Sequence, residues 1–181
     1  MNKKTTADIL AESFQEIAAQ KNVNKITISD IVNNCGFSPA TFYRHFRDKY
    51  DLIAWIYGKK SIETLGSTYT SINGWVSYCE ESRKILLNLM ENTSGYQSFI
   101  KSMIDIYVDY TENIIIINSG REALTDEVHR KVYLHVSGVV MLLNAWLKGK
   151  VSGTADEIAG TIQETLPESL RRLLTDTSKQ K

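Results

Sequence analysis

Apolar residues recur at helical spacing along most of the chain and rarely alternate, so the elements they predict are helices. Leu10, Phe14, Ile17 and Ala18 stand at i, i+4, i+7 and i+8. They mark one face of a first helix that starts at Thr5 or Thr6, either able to cap it, and runs to about Gln20. Lys21 to Lys25 is a polar connector. Thr27, Ile28, Ser29 and Asp30 then read as a capping box, with Asp a shorter substitute for the usual Glu. Ile28, Ile31, Val32 and Cys35 give the short helix behind it an apolar stripe. Gly36 ends that helix, where a left-handed residue is cheapest. Ser38 followed by Pro39 is a strong start signal for a third helix, anchored inward by Phe42 and Phe46. Asp48 and Asp51 can cap a fourth, whose apolar positions are Leu52, Ile53, Ile56 and Tyr57.

Farther along, the pattern predicts longer helices over 48–72, 76–91, 96–117, 122–148 and 155–174. Ser94-Gly95, Asn118 to Gly120 and Gly149 to Gly153 mark turns, and Thr154 with Glu157 forms another capping box. Ile114 to Ile117 is β-branched, but it does not alternate and follows the helical set Met103, Ile104, Tyr107 and Val108. It reads as the end of a buried helix. Only Pro39 and Pro167 interrupt the chain, which suits an all-α protein.

Composition narrows the class. Apolar residues make up 43% of the 181, enough for a sizeable core, and 23% charged residues is ordinary for a globular protein. The N-terminus runs straight into an amphipathic segment, without the apolar core of an export signal. Val136 to Leu147, the most apolar stretch, is too short to span a bilayer. A soluble, cytoplasmic protein is expected, so the sequon at Asn92 to Ser94 reads as chance. Cys35 and Cys79 form no metal or redox spacing. His129 and His135, six apart, do not share a helical face, and nothing completes a metal site around them. No cofactor and no metal are expected. Enzyme signatures are missing too: there is no HExxH, no GxSxG elbow, and Gly58 to Ser61 lacks the upstream glycine of a phosphate loop. Net charge is formally zero, yet residues 1–60 carry nine Lys/Arg against six Asp/Glu, and the rest carries twelve against fifteen. The modest positive excess lies on the half with the capped short helices.

Two short helices, a glycine corner and a supporting amphipathic helix make the helix-turn-helix plan. Leu10, Phe14, Ile28, Ile31, Val32, Phe42 and Phe46 supply its small core. Pro39, Ala40, Thr41, Tyr43, Arg44 and His45 are left pointing outward, as small or polar groups able to enter a major groove. Spacing alone leaves open a helical corner of some unrelated α protein. The stretch from Thr27 to Leu52, TISDIVNNCGFSPATFYRHFRDKYDL, resembles the signature of the TetR family of bacterial regulators. Thr27, Ile31, Gly36, Ser38, Thr41, Tyr43, Phe46, Lys49 and Leu52 fall where that pattern puts them. Cys35 in place of Ala, and Pro39-Ala40 in place of a pair such as Lys-Gly, are mild departures.

The resemblance implies an all-α protein with a three-helix DNA-binding domain over residues 1–48 and a helical dimerisation and effector domain over 49–181. It implies that Thr27 and Ser38 contact phosphates at helix N-termini and that Lys49 binds phosphate from the start of the fourth helix. Tyr43 and His45 would position the backbone. Pro39, Ala40, Thr41 and Arg44 would meet base edges, Arg44 being suited to guanine, although phosphate binding is an equal alternative for it. A homodimer on a palindromic operator follows, paired through the last two long helices: Val132, Val136, Val139, Val140 and Leu143 on one, Ile158, Ile162, Leu166, Leu170 and Leu173 on the other. Trp75, Met103, Tyr107, Tyr110 and Trp146, with Tyr78, Tyr133 and Met141, are candidates for an effector pocket, although aromatics and methionines at helical spacing are more often plain core or dimer interface. The Ala145 to Gly149 end of a long helix and the final amphipathic helix are similar to regulators of the dihydroxyacetone-kinase operon type, activators that work through a kinase-like co-activator protein. The alternatives are a ligand-responsive repressor of a transport or stress operon, and a helical interaction module that does not bind DNA.

Overall fold

The computed structural model describes residues 4–65, 71–92 and 99–175, and among these every regular element is a helix. Thr93 and Ser94 of the sequon and the turn at Ser94-Gly95 lie outside the described residues, as do residues 66–70 of the fourth segment and 96–98 of the sixth. The chain divides into two compact units, Met1–Tyr57 and Gly58–Lys181.

The first unit holds α1 (Thr6–Ala18), a 3-10 turn (Val23–Lys25), α2 (Ile28–Cys35), α3 (Pro39–Tyr43) and the beginning of α4 (Lys49–Leu65). Each junction has a local cause. Thr5 caps α1 in a reciprocal box with Asp8, and Thr27 does the same for α2 with Asp30. Gly36 closes α2 at φ 72°, a left-handed conformation that a Cβ would penalise. Ser38 caps α3, with Pro39 in the first turn. Asp48 Oδ1 accepts from the backbone N–H of Tyr50 and Asp51, at 2.8 and 2.9 Å, and so starts α4. The core is Leu10, Ala11, Phe14, Ile26, Ile31, Val32, Phe42 and Phe46, joined by Leu52, Ile53 and Ala54 of α4. Those three and the edge-on contact of the Phe46 and Trp55 rings, 5.9 Å apart, carry the first unit beyond Asp48 into α4. Ile28 is only half-buried; Ile26, in the extended residue pair before the helix, takes the interior place instead.

The second unit contains the rest of α4, then α5 (Ile72–Glu81), α6 (Arg83–Asn92), α7 (Phe99–Ser119), α8 (Asp126–Leu147), α9 (Ala155–Thr165) and α10 (Glu168–Thr175). It differs from the periodicity at three places. The segment 76–91 is two helices that meet at Ser82. The segment 155–174 breaks at Leu166 and Pro167, because the imino acid cannot donate to α9 and α10 restarts behind it. Thr125, whose side chain accepts from the N–H of Val128, starts α8 later than expected, after a 3-10 turn at Arg121–Ala123. Ile114 and Ile115 are buried in α7, while Ile117 of the same run is exposed. Gly58 lies inside α4, so the stretch Gly58 to Ser61 is helix and not a phosphate loop. A Cβ there would come within 2.8 Å of Ile106 Cδ1, so the glycine lets α4 approach α7 closely. No described helix is long and apolar enough to cross a membrane.

The carboxylate that caps α2 makes the first unit acid-sensitive. Lys21 Nζ, 2.7 Å away, and the N–H and hydroxyl of Thr27 hold Asp30 at about 2, below its ordinary 3.8. A depressed carboxylate contributes stability that is full above its unfolded value and is lost as pH falls through the folded one. Urea titrations of the full chain should therefore show the first unit weakening as pH drops from about 4 towards about 2. Asp30→Asn should remove that part of the acid dependence and also be less stable at pH 7.

Candidate nucleic-acid interface

The candidate recognition element is the shortest α-helix among the described residues. α3 has five residues, and its inward anchor is Phe42, fully buried, with its ring 5.8 Å from that of Phe46. The N–H of Phe46 donates to the Phe42 carbonyl at 3.0 Å, so the helical path continues one turn past Tyr43. With both phenylalanines turned inward, Ser38, Pro39, Ala40, Tyr43, Arg44 and His45 are exposed and Thr41 is half-exposed. Tyr43 packs edge-on against Phe42, which props its ring outward while 59% of the residue stays open. The hydroxyls of Ser38 and Thr41 share a hydrogen bond of 3.0 Å, and the N–H of Thr41 donates to Ser38 Oγ at 3.2 Å. The corner is therefore held by its own first turn.

The other two expected contacts are placed differently. Thr27 is exposed, but its hydroxyl donates to Asp30 at 2.9 Å and accepts from the Asp30 N–H at 3.1 Å. A carboxylate thus already sits at the positive end of α2. Lys49 Nζ turns inward onto the carbonyls of Val23, Asn24 and Ile26, at 3.2, 3.1 and 2.9 Å.

The cations of the first unit are largely occupied. Lys4 pairs with Glu12, Lys21 with Asp30, and Arg47 with Asp51. Among the described residues of this unit Lys25, Arg44 and Lys49 form no ion pair; Lys49 is held by carbonyls, and Arg44 is the one standing on the exposed face of α3. The charge balance of the sequence thus overstates the positive charge free to meet phosphate.

A buried polar clamp escaped the sequence reading. Ser13 Oγ, on the inner face of α1, donates to the Ile31 carbonyl at 2.7 Å and accepts from Asn34 Nδ2 at 3.1 Å. Asn34 also donates to Glu16 at 2.9 Å. This fixes α1 across α2. The only sequence signal was a serine between the inward Ala11 and Phe14.

In the second unit, Trp75, Tyr107 and Tyr110 line a cavity with Leu65, Thr111, Val136, Val139 and Val140. Its volume is about 10 Å³, room for about one water. Trp75 Nε1 donates to Tyr107 Oη at 3.1 Å, and burial pushes the Tyr107 phenol far above its usual range. Met103 and Trp146 do not line this cavity. Met103 packs near Gly58, and Trp146 Nε1 donates to the Gly153 carbonyl at 2.8 Å, pinning the turn between α8 and α9.

Arg44 is an exposed cation at the end of α3, and either base reading or phosphate binding is open to it. Arg44→Ala is expected to cost about 1–3 kcal/mol in binding and to relax the preference at one position of each half-site. Binding measured over a panel of single-base operator variants checks this. An equal loss on every sequence would make Arg44 a phosphate ligand.

Residues 9–56 match the model of a family described as bacterial regulatory proteins, tetR family. The chain is 27% identical over 92 residues to the HTH-type dhaKLM operon transcriptional activator DhaS of Lactococcus lactis subsp. lactis (strain IL1403). That stretch is 51% of this chain and spans about half, 47%, of the relative. A solved structure of a dihydroxyacetone kinase operon activator DhaS superposes with a TM-score of 0.50 over 89% of this chain and 93% of that one, at 14% identity, which is a likeness of fold. The capped corner, the buried phenylalanines beneath an exposed five-residue helix and the match over residues 9–56 give the chain an N-terminal helix-turn-helix DNA-binding domain of the kind found in the tetR family of bacterial regulatory proteins.

Proposed function

We propose that the chain is a cytoplasmic transcription regulator that binds a palindromic operator as a homodimer under the control of a second molecule. The observation that carries this reading is the face of α3, where Pro39, Ala40, Thr41, Tyr43, Arg44 and His45 are presented above the buried Phe42. A helix of five residues covers too few base pairs for useful specificity, so two copies are needed, about one DNA turn apart. Ser38 and Tyr43 are the proposed phosphate contacts, and Arg44 the base contact.

The pairing surface we assign is not the valine and leucine set that periodicity suggests. Val132, Val136, Val139, Val140 and Leu143 are buried inside the second unit, as are Ile158, Ile162, Leu166 and Leu170; Leu173 is half-buried. The opposite face of α8 is the better candidate. Leu134, 76% exposed, and Met141, 51% exposed, are seven residues apart, with Gly138 and Ala145 between and beyond them. Spacings of four, three and four make a seam for a second helix. A Cβ on Gly138 would meet nothing within 4 Å, so that seam has space for close approach.

The controlling molecule is proposed to be a co-regulator protein, and the target an operon of the dihydroxyacetone-kinase type. The name of the Lactococcus relative supports the target, and the cavity at Trp75, Tyr107 and Tyr110, too small for a metabolite unless it opens, favours the co-regulator. The sign of regulation follows the same relative: activation.

Site selection from random duplex DNA with the purified full chain tests the reading, and an enriched palindrome is expected. Selection with no enrichment, together with affinity that does not fall with salt, would favour an interaction module instead. Sedimentation at micromolar concentration should give a dimer. Leu134→Arg with Met141→Arg should give a folded monomer that binds DNA more weakly; an unchanged dimer would move the seam elsewhere.

A further inference from the structure

The exposed face of α3 changes character along its length. Its leading half offers no side-chain donor for a base. Pro39 has neither an N–H nor a polar side-chain atom, and Ala40 ends in a methyl; both are exposed. The two hydroxyls beside them are already in use. Ser38 and Thr41 share a hydroxyl proton at 3.0 Å, and Ser38 Oγ also accepts from the N–H of Thr41 at 3.2 Å. With Thr41 as the donor, Ser38 keeps its own proton for the phosphate assigned to it above, and Thr41 has none left. Tyr43, four residues after Pro39 and three after Ala40, stands beside both on the helix surface. Its ring is wedged outward by Phe42, edge-on at 5.7 Å, and 59% of the residue is open. Pyrrolidine, methyl and phenol ring thus form a small carbon surface. It is also rigid: the proline ring fixes its own backbone, alanine has no rotamer to lose, and Tyr43 leans on a buried ring. The polar groups, Arg44 and His45, come after it.

A carbon surface cannot choose between bases by hydrogen bonds, but it can choose by shape. In the major groove thymine alone presents a methyl group, on C5. Covering that methyl removes apolar surface from water. The same contact on cytosine or adenine would cover an amino group and offer it no acceptor. We propose that Pro39 and Ala40, backed by the ring of Tyr43, select thymine at the operator position beneath the leading turn of α3, by apolar contact with its 5-methyl group. This rests on the DNA-binding reading above. The departure at these two positions from a pair such as Lys-Gly is then a change of chemistry. Carbon stands where a donor would be, and the base it suits changes from guanine to thymine.

The test takes the full chain and a palindromic duplex enriched by site selection, with each thymine replaced in turn by uracil in both half-sites. Uracil keeps every hydrogen-bonding group of thymine and lacks only the methyl. One buried methyl is worth about fourfold in affinity, so one symmetric position should lose about tenfold or more with both half-sites changed. The slope of log affinity against log salt should not move, because no phosphate contact is touched. Ala40→Gly should weaken binding to the thymine duplex and shrink the uracil effect to about threefold or less. If Ala40→Gly does not fold, Ala40→Ser, which sets a hydroxyl against the methyl, should shrink it too. Uracil tolerated by the wild type at every thymine would overturn the proposal. So would a uracil effect that the change at Ala40 leaves undiminished. If no duplex is enriched or bound at any salt, the DNA-binding reading itself fails; binding that ignores the methyl sinks the proposal alone.

Discussion

A helix of five residues does not hold itself together in water. Fixing its first turn costs more than its few hydrogen bonds return, and isolated helices below about 12–15 residues are marginal even in favourable sequences. α3 therefore exists because Phe42 and Phe46 bury their rings beneath it, and because Ser38 and Pro39 fix the direction in which it starts. Everything else in the first unit serves that anchoring. α1 supplies Leu10 and Phe14 to the floor, Gly36 turns the chain at an angle no side chain would favour, and Ser13 with Asn34 locks α1 across α2. The side chains offered to DNA are the ones this packing does not need.

Much of this was legible in the sequence, for a physical reason. Caps and breakers act through neighbours in the chain, so Thr27 with Asp30, Gly36, Ser38 with Pro39, and Thr154 with Glu157 announced the junctions that the structure has. Ser82 was not legible as a break because it carries no such signal. Pro167 did carry one, and the apolar period running across it masked the break. Burial was harder still. Val132 to Leu143 read as a free interface because periodicity identifies an apolar stripe but not what covers it; here the stripe is covered by the chain's own helices, and Tyr133, Leu134 and Met141 are the exposed ones.

The site itself divides along the same line. Residues whose place depends on helix geometry alone follow their spacing: Pro39, Ala40, Tyr43, Arg44 and His45 stand exposed, Thr41 half-exposed, and Phe42 turns inward. Residues whose role depends on long-range partners do not follow from spacing. Lys49 meets carbonyls some twenty-five residues earlier in the chain, and nothing near it in the sequence forecasts that. The aromatic candidates divide in the same way. Trp75, Tyr107 and Tyr110 meet around one small cavity, whereas Trp146 spends its N–H on a turn.

The central claim is that α3 enters the major groove, once from each subunit. Dimethyl sulfate probing of a selected duplex, free and bound, addresses it most directly, because the reagent methylates guanine N7 in the major groove and adenine N3 in the minor groove. The account predicts protection of guanine N7 in two clusters about one helical turn apart, with adenine N3 unaffected at their centres. Bound DNA with guanine N7 fully reactive, or with protection confined to adenine N3, would contradict it.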